Sequence, residues 1–169
     1  PSRFVSIFSV THGSNELRRL IWGSYLNAWW DDDEWPGASS RIDRVLTGFG
    51  SYTFRVVYPK VRSPRIFQIE YQQHNTETTH PHNEYLGMLC ELGLVGLLLY
   101  ASMVGVLLAL FSQELRRGGD WRWESLKLAL LMAFLSQLVH QTVSVGVRYT
   151  GLSFQFWLTL GLISWWVLR

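Results

Sequence analysis

A chain of 169 residues carries 15 Lys and Arg against 13 Asp and Glu, a formal net charge of +2. That balance offers no electrostatic footing for nucleic acid, and a single cysteine, Cys90, excludes an internal disulfide. Hydrophobic residues make up 48% and charged residues only 17%, where soluble domains hold about 25% charged residues. Most of the charge lies in residues 1–84. Composition therefore describes a membrane protein with one large aqueous segment, not a soluble globule.

The chain opens on Pro1 with no initiator methionine or signal peptide, so it is expected to be the C-terminal part of a longer protein. Phe4 to Val10 fits either a strand or the end of an upstream segment. Ser14-Asn15 offers a helix N-cap. Leu17, Leu20/Ile21, Ser24/Tyr25 and Ala28 then recur at helical spacing, which predicts an amphipathic helix near 16–30. It is too short and too polar to span a bilayer. Trp22, Trp29 and Trp30 suit it to head-group depth. The acids Asp31 to Glu34 oppose the helix dipole and end it, and Trp35-Pro36-Gly37 turns the chain. Gly48-Phe49-Gly50 marks a second tight turn. After it Tyr52, Phe54 and Val56 alternate with polar neighbours, which predicts a short strand. Pro59 and Pro64 interrupt that pattern, and residues 72–79 read as irregular.

Three transmembrane helices are expected near 85–111, 126–147 and 152–168. Arg116, Arg117, Arg122 and Arg169 mark two ends as cytoplasmic by the positive-inside rule, which places the 1–83 region outside, periplasmic in a bacterium. Glu91 is expected to face the interior of the bundle, as is the polar stripe Ser136, Gln137, His140, Gln141 and Ser144. Ala101 and Gly105 would allow a close helix approach.

Where the aqueous segment meets the first span stands Thr79-His80-Pro81-His82-Asn83-Glu84-Tyr85-Leu86. Pro81 biases His80 away from helical backbone. These polar side chains sit at the membrane border, where water, a lipid head group and a protein group can meet. His80 to Leu86, followed by Glu91-Leu92-Gly93-Leu94-Val95-Gly96, resembles the signature of the bacterial O-antigen ligase and O-antigen polymerase superfamily, which includes the protein O-oligosaccharyltransferases. Arg18-Arg19-Leu20-Ile21-Trp22 is similar to that family's arginine followed four residues later by tryptophan. Gly48 to Phe54 is similar to its Gly-x-Gly turn with a following aromatic. The likeness spans residues 14 to 165.

The resemblance implies an all-α membrane protein, here a fragment of a larger multi-span bundle in the bacterial inner membrane. It implies a metal-independent, cofactor-free glycosyltransferase. The donor would be an undecaprenyl-diphosphate-linked glycan. The acceptor hydroxyl would belong to lipid A core glycolipid, another glycan repeat, or Ser or Thr of an exported protein. It makes His82 and Arg18 the catalytic candidates, with His80, Asn83 and Arg19 binding substrate.

The residue chemistry suits those roles. Histidine titrates near neutrality, so His82 can bind diphosphate as the imidazolium or take the acceptor's proton as the neutral base. Asn83 would orient it or cap the following helix. The guanidinium fork of Arg18 matches the oxygens of a leaving diphosphate. Against these stands a plain solvated helix face for Arg18 and Arg19 and a polar loop without chemistry for the histidines. Arg55, Lys60, Arg62 and Arg65 read as solvated surface. A metal site drawing on His74, His80, His82, Glu70, Glu77 or Glu84 has suitable ligand types, but His-x-His in a loop lacks any Cys/His framework. The competing function is a non-catalytic transport or assembly subunit that uses the stripe at Gln137 to Ser144 as its pathway.

Overall fold

A computed structural model describes residues 13–31, 40–73 and 78–168, all of the regular structure among them helical. The segment Phe4 to Val10, the acids Asp32 to Glu34, the turn at Trp35-Pro36-Gly37, His74, Glu77 and Arg169 lie outside the described residues. The helices are α1 (Gly13–Asp31), α2 (Arg41–Thr47), α3 (Phe54–Val61), α4 (Pro64–Gln73), α5 (Glu84–Arg116), α6 (Trp121–His140) and α7 (Thr150–Leu168), with a 3-10 turn at Gly146–Arg148. They fall into two compact units: one within Pro1–His82 together with Leu86–Val95, the other of Asn83–Tyr85 with Gly96–Arg169.

In the first unit α1 buries Ile21, Tyr25, Ala28 and Trp29, a single face by their spacing of three and four. That face meets Phe54, Val57, Tyr58, Ile66 and Cys90. Tyr25 packs edge-on against Phe54 at 4.9 Å between ring centroids, and Phe54 stacks on Tyr58 at 4.7 Å. The tryptophans expected at head-group depth are divided. Trp30 is exposed under the Arg41 guanidinium, but Trp29 lies in this core with its indole N–H donating to the Arg44 carbonyl. The region expected to be a loop with one helix therefore holds four helices among its described residues.

The strand expected at Tyr52, Phe54 and Val56 is instead helix α3. Phe54, Val57 and Tyr58 point into the core at helical spacing, while Tyr52 and Val56 are exposed. Pro59 lies inside α3, and Pro64 opens α4 at a first-turn position where a missing N–H costs no helical bond. Part of the stretch expected to be irregular, 72 and 73, completes α4. Helix α1 begins at Gly13, so Ser14 and Asn15 lie in its first turn rather than before it.

Helix α5 is broken at Gly93, whose backbone is left-handed in φ (φ 68°, ψ −171°). A helix end leaves carbonyls without partners. Here the Phe49 and Gly50 amides donate to the Cys90 and Glu91 carbonyls at 2.9 and 2.8 Å. The Gly48-Phe49-Gly50 turn thus caps the break. The fit is tight on both sides. A β-carbon on Gly48 would lie 2.4 Å from the Glu91 carbonyl, and one on Gly93 would lie 2.2 Å from the Leu46 oxygen. Glu91 is buried, and its carboxylate accepts from the Tyr52 and Phe54 amides at 3.0 and 3.3 Å. A negative charge at the first turn of α3 complements that helix's dipole. This carboxylate stabilises as a helix a segment whose alternation predicted a strand.

In the second unit Val104, Phe111, Phe134, Phe156 and Ile163 form the core. Among the described residues two helices are long and apolar enough to cross a membrane, α5 and α7. Helix α6 does not meet that measure: its first two turns carry Arg122, Glu124 and Lys127. It also ends at His140, short of the expected span to 147, and a turn and the 3-10 segment follow. Of the polar stripe, Gln137 and Gln141 do face other helices. Gln137 donates to the Thr159 hydroxyl at 3.2 Å, and the Tyr100 hydroxyl donates to Gln141 at 2.8 Å. Ser136 and His140 are exposed. Ala101 and Gly105 are also exposed, and nothing approaches within 4 Å of a β-carbon placed on Gly105, so no described helix uses that small-residue pair.

Candidate functional site

The first unit brings Arg18 and His82 together. Arg18 stands one helical turn before Trp22 on α1, so the two side chains share a face. The Trp22 indole N–H donates to the Pro81 carbonyl at 2.8 Å across 59 residues of sequence. That bond ties the segment before α5 to the arginine-bearing face of α1. Pro81 is fully buried and stiffens the chain at this anchor. His82 follows at once, half-buried, with φ 51°. A non-glycine residue in left-handed backbone is uncommon and persists only where its surroundings hold it.

The electrostatics follow from this placement. Burial lowers the His82 pKa below its ordinary 6.5, and the positive charge of Arg18 lowers it further. The neutral imidazole is therefore the resting form near pH 7. Arg18, and not its exposed neighbour Arg19, is the guanidinium whose charge reaches the ring. A neutral ring nitrogen beside a fixed cation has two chemical uses. The nitrogen takes a proton from a hydroxyl, and the cation holds an anion formed alongside.

The other candidates are placed less centrally. His80 is partly exposed on the same segment, two residues before His82. Asn83 immediately precedes α5 and belongs to the second unit. Among the described residues no group of three His, Cys, Asp or Glu is arranged to hold a metal ion. Residue spacing alone did not reveal the Trp22–Pro81 bond, because Trp22 reads equally well as an interfacial anchor. The tryptophan one turn after an arginine was the available signal.

No family model, curated protein or solved structure matches this chain.

In the second unit a separate recess of about 30 Å³ is lined by Gln137, His140, Gln141, Gly146 and Gln155 together with Val147, Leu152 and Phe156. One water needs roughly 10–15 Å³ of such space. The stripe that suggested a transport pathway therefore surrounds room for about two waters, and its glutamines are engaged with Tyr100 and Thr159.

Proposed function

We propose that this chain is part of a membrane glycosyltransferase that moves a glycan from a polyprenyl-diphosphate donor to an acceptor hydroxyl. The observation that carries the reading is a half-buried, left-handed His82 that the Trp22–Pro81 bond ties to the arginine-bearing face of α1, within reach of the Arg18 charge. The acceptor oxygen attacks the anomeric carbon, and the bond from that carbon to the diphosphate oxygen breaks. The hydroxyl proton passes to the neutral His82 ring. The negative charge left on the diphosphate is held by Arg18, with Arg19, His80 and Asn83 contributing to substrate binding. The lowered pKa of His82 favours the base over the imidazolium role. The acceptor class remains lipid A core, a glycan repeat or an exported protein's hydroxyl.

The same proposal takes α6 as a third span beside α5 and α7 and places the His82 segment at the periplasmic face of a bacterial inner membrane. The basic turn at Arg116, Arg117 and Arg122 supports that orientation. Cysteines placed singly at Thr78 and Gly118, in a Cys90-free background, test it with a membrane-impermeant thiol reagent. Thr78→Cys is expected to label from outside and Gly118→Cys only after permeabilisation. The reverse pattern overturns the orientation.

Arg18 supplies the test of the chemistry. Arg18→Gln is expected to cut transfer sharply and to move the acid limb of the remaining pH–rate profile to higher pH. The sign follows from the pairing: removing the cation removes one of the two causes that lower the His82 pKa. Arg18→Lys restores charge without the planar fork, so it keeps the limb low but recovers only part of the rate. An acid limb unmoved in Arg18→Gln would detach the arginine from the histidine. The competing transport function predicts instead that Gln137→Leu, and not Arg18→Gln, removes activity.

A further inference from the structure

We propose that the outward face of α3 lies among the lipid head groups of an anionic membrane surface, with Tyr52 and Val56 at the apolar border and Arg55 and Lys60 on lipid phosphates. This rests on the membrane reading alone and not on glycan transfer.

The depth of α3 is set by its clasp to α5. Residues 92–113 of α5 carry no charged side chain, and a stretch of about 20 such residues crosses the hydrocarbon core of a bilayer. Glu91 is the last charged residue before that stretch. The Tyr52 and Phe54 amides donate to its carboxylate, and the Phe49 and Gly50 amides donate to the Cys90 and Glu91 carbonyls. These bonds fix the first turn of α3 at the level of Glu91, inside one compact unit that also holds Leu86–Val95. Helix α3 has eight residues, about 12 Å at 1.5 Å per residue, so its far end stays close to that level.

The side chains suit a membrane border. Phe54, Val57 and Tyr58 turn into the core. Tyr52, Arg55, Val56 and Lys60, at spacings of three and four, form the opposite face and are exposed. Tyr52 is 67% exposed and Val56 59%, apolar surface that water disfavours. Tyr52 is also left-handed, with φ 61°, a conformation uncommon for a bulky residue. The bond from its amide to Glu91 fixes that backbone and holds the ring outward, where tyrosine suits head-group depth. Helix α1, expected at that depth, lacks this character: its exposed positions between Asn15 and Trp30 are Arg19, Gly23 and Asn27.

Charge selects the lipid. Residues 52–69 contain Arg55, Lys60, Arg62 and Arg65 and no Asp or Glu. Arg65 pairs with Glu16, and Arg62 lies over the Phe67 ring. Arg55 has no carboxylate partner among the described residues. A helix face that interleaves basic and apolar side chains binds anionic lipid through burial and charge together. Long basic side chains keep their stems on apolar surface and extend their charges to the phosphates.

Fluorescence quenching in the full-length protein tests this. A fluorophore on Val56→Cys, in a Cys90-free background, is read in phosphatidylcholine nanodiscs. The discs contain a small share of either doxyl-labelled phosphatidylglycerol or doxyl-labelled phosphatidylcholine. Met103→Cys, exposed on the uncharged stretch of α5, reports the span, and Asn27→Cys reports water. Both lipids are expected to quench the Val56 label, phosphatidylglycerol about fivefold more strongly. Arg55→Gln combined with Lys60→Gln is expected to remove that preference. Both residues are exposed, so the double variant keeps the fold. A Val56 label left unquenched while the Met103 label is quenched overturns the surface contact and leaves the membrane reading standing. An Asn27 label quenched as strongly as the Val56 label overturns the choice of α3. Equal quenching by the two lipids, or a preference that survives in the double variant, overturns the anionic assignment. Quenching of neither the Val56 nor the Met103 label overturns the proposal together with the membrane reading.

Discussion

His82→Ala is expected to lower glycan transfer by at least about 100-fold, the smaller end of what a positioned general base contributes. The donor should still bind, because Arg18 remains. His80→Ala should be intermediate, since it shares the segment with His82. His140→Ala, exposed in the second unit, should leave transfer unchanged. The measurement is transfer from a polyprenyl-diphosphate donor in reconstituted full-length protein. Wild-type transfer should fall with acid, with its midpoint below the ordinary histidine value of 6.5, because burial and Arg18 both lower the ring's pKa. The same shift affects stability. Above 6.5 the folded and unfolded rings are both neutral and His82 contributes nothing. As pH falls through 6.5 the unfolded chain gains the proton first, so the penalty on folding grows until the folded ring also titrates and stays at that level in stronger acid. Near-normal transfer by His82→Ala would sink the base assignment, and activity that rises into acid would return the ring to the diphosphate-binding role.

The second large effect concerns Gly93. Gly93→Ala is expected to destabilise the protein by more than about 3 kcal/mol. Left-handed backbone alone costs alanine about 1–2 kcal/mol. The added β-carbon would also lie 2.2 Å from the Leu46 oxygen and 2.3 Å from its carbonyl carbon, backbone atoms that cannot rotate away. Gly48→Ala meets the Glu91 backbone from the other side and should behave alike. Gly105 and Gly161 are the controls. Both lie in helices with nothing within 4 Å of a β-carbon, so alanine there should be neutral or stabilise by up to about 1 kcal/mol. Thermal unfolding in detergent reads the difference. A Gly93→Ala variant as stable as Gly105→Ala would mean that the clasp between the Gly48–Gly50 turn and the broken helix does not form.

That clasp separates what could be read along the chain from what could not. The Gly-x-Gly turn is visible in sequence as a place where the chain bends, and Glu91 as a carboxylate that turns away from lipid. Nothing in either stretch says that they meet. The turn's amides satisfy the broken helix, and the Glu91 carboxylate then stabilises the first turn of α3. An eight-residue helix gains little from its own propensity, since nucleation is costly and short helices are marginal. The Phe54 segment, whose two-residue alternation predicted a strand, folds instead as a helix whose first turn a distant carboxylate stabilises.

The sequence by itself determined the apolar lengths of α5 and α7, because continuous hydrophobicity over a span needs no partner to be recognised. It also determined the buried register of α1 through Ile21, Tyr25 and Ala28, since helical periodicity is a local property. It singled out Arg18 and His82 as residue types fit for anion and proton chemistry. Only the tertiary structure decided that the Arg18 charge reaches the His82 ring, that Trp22 donates to the Pro81 carbonyl, and that Trp29 lies in a core rather than at a membrane surface. Each of these is a contact between residues far apart in the chain. Its energy depends on which faces the packed core leaves opposite one another, and no local pattern encodes that.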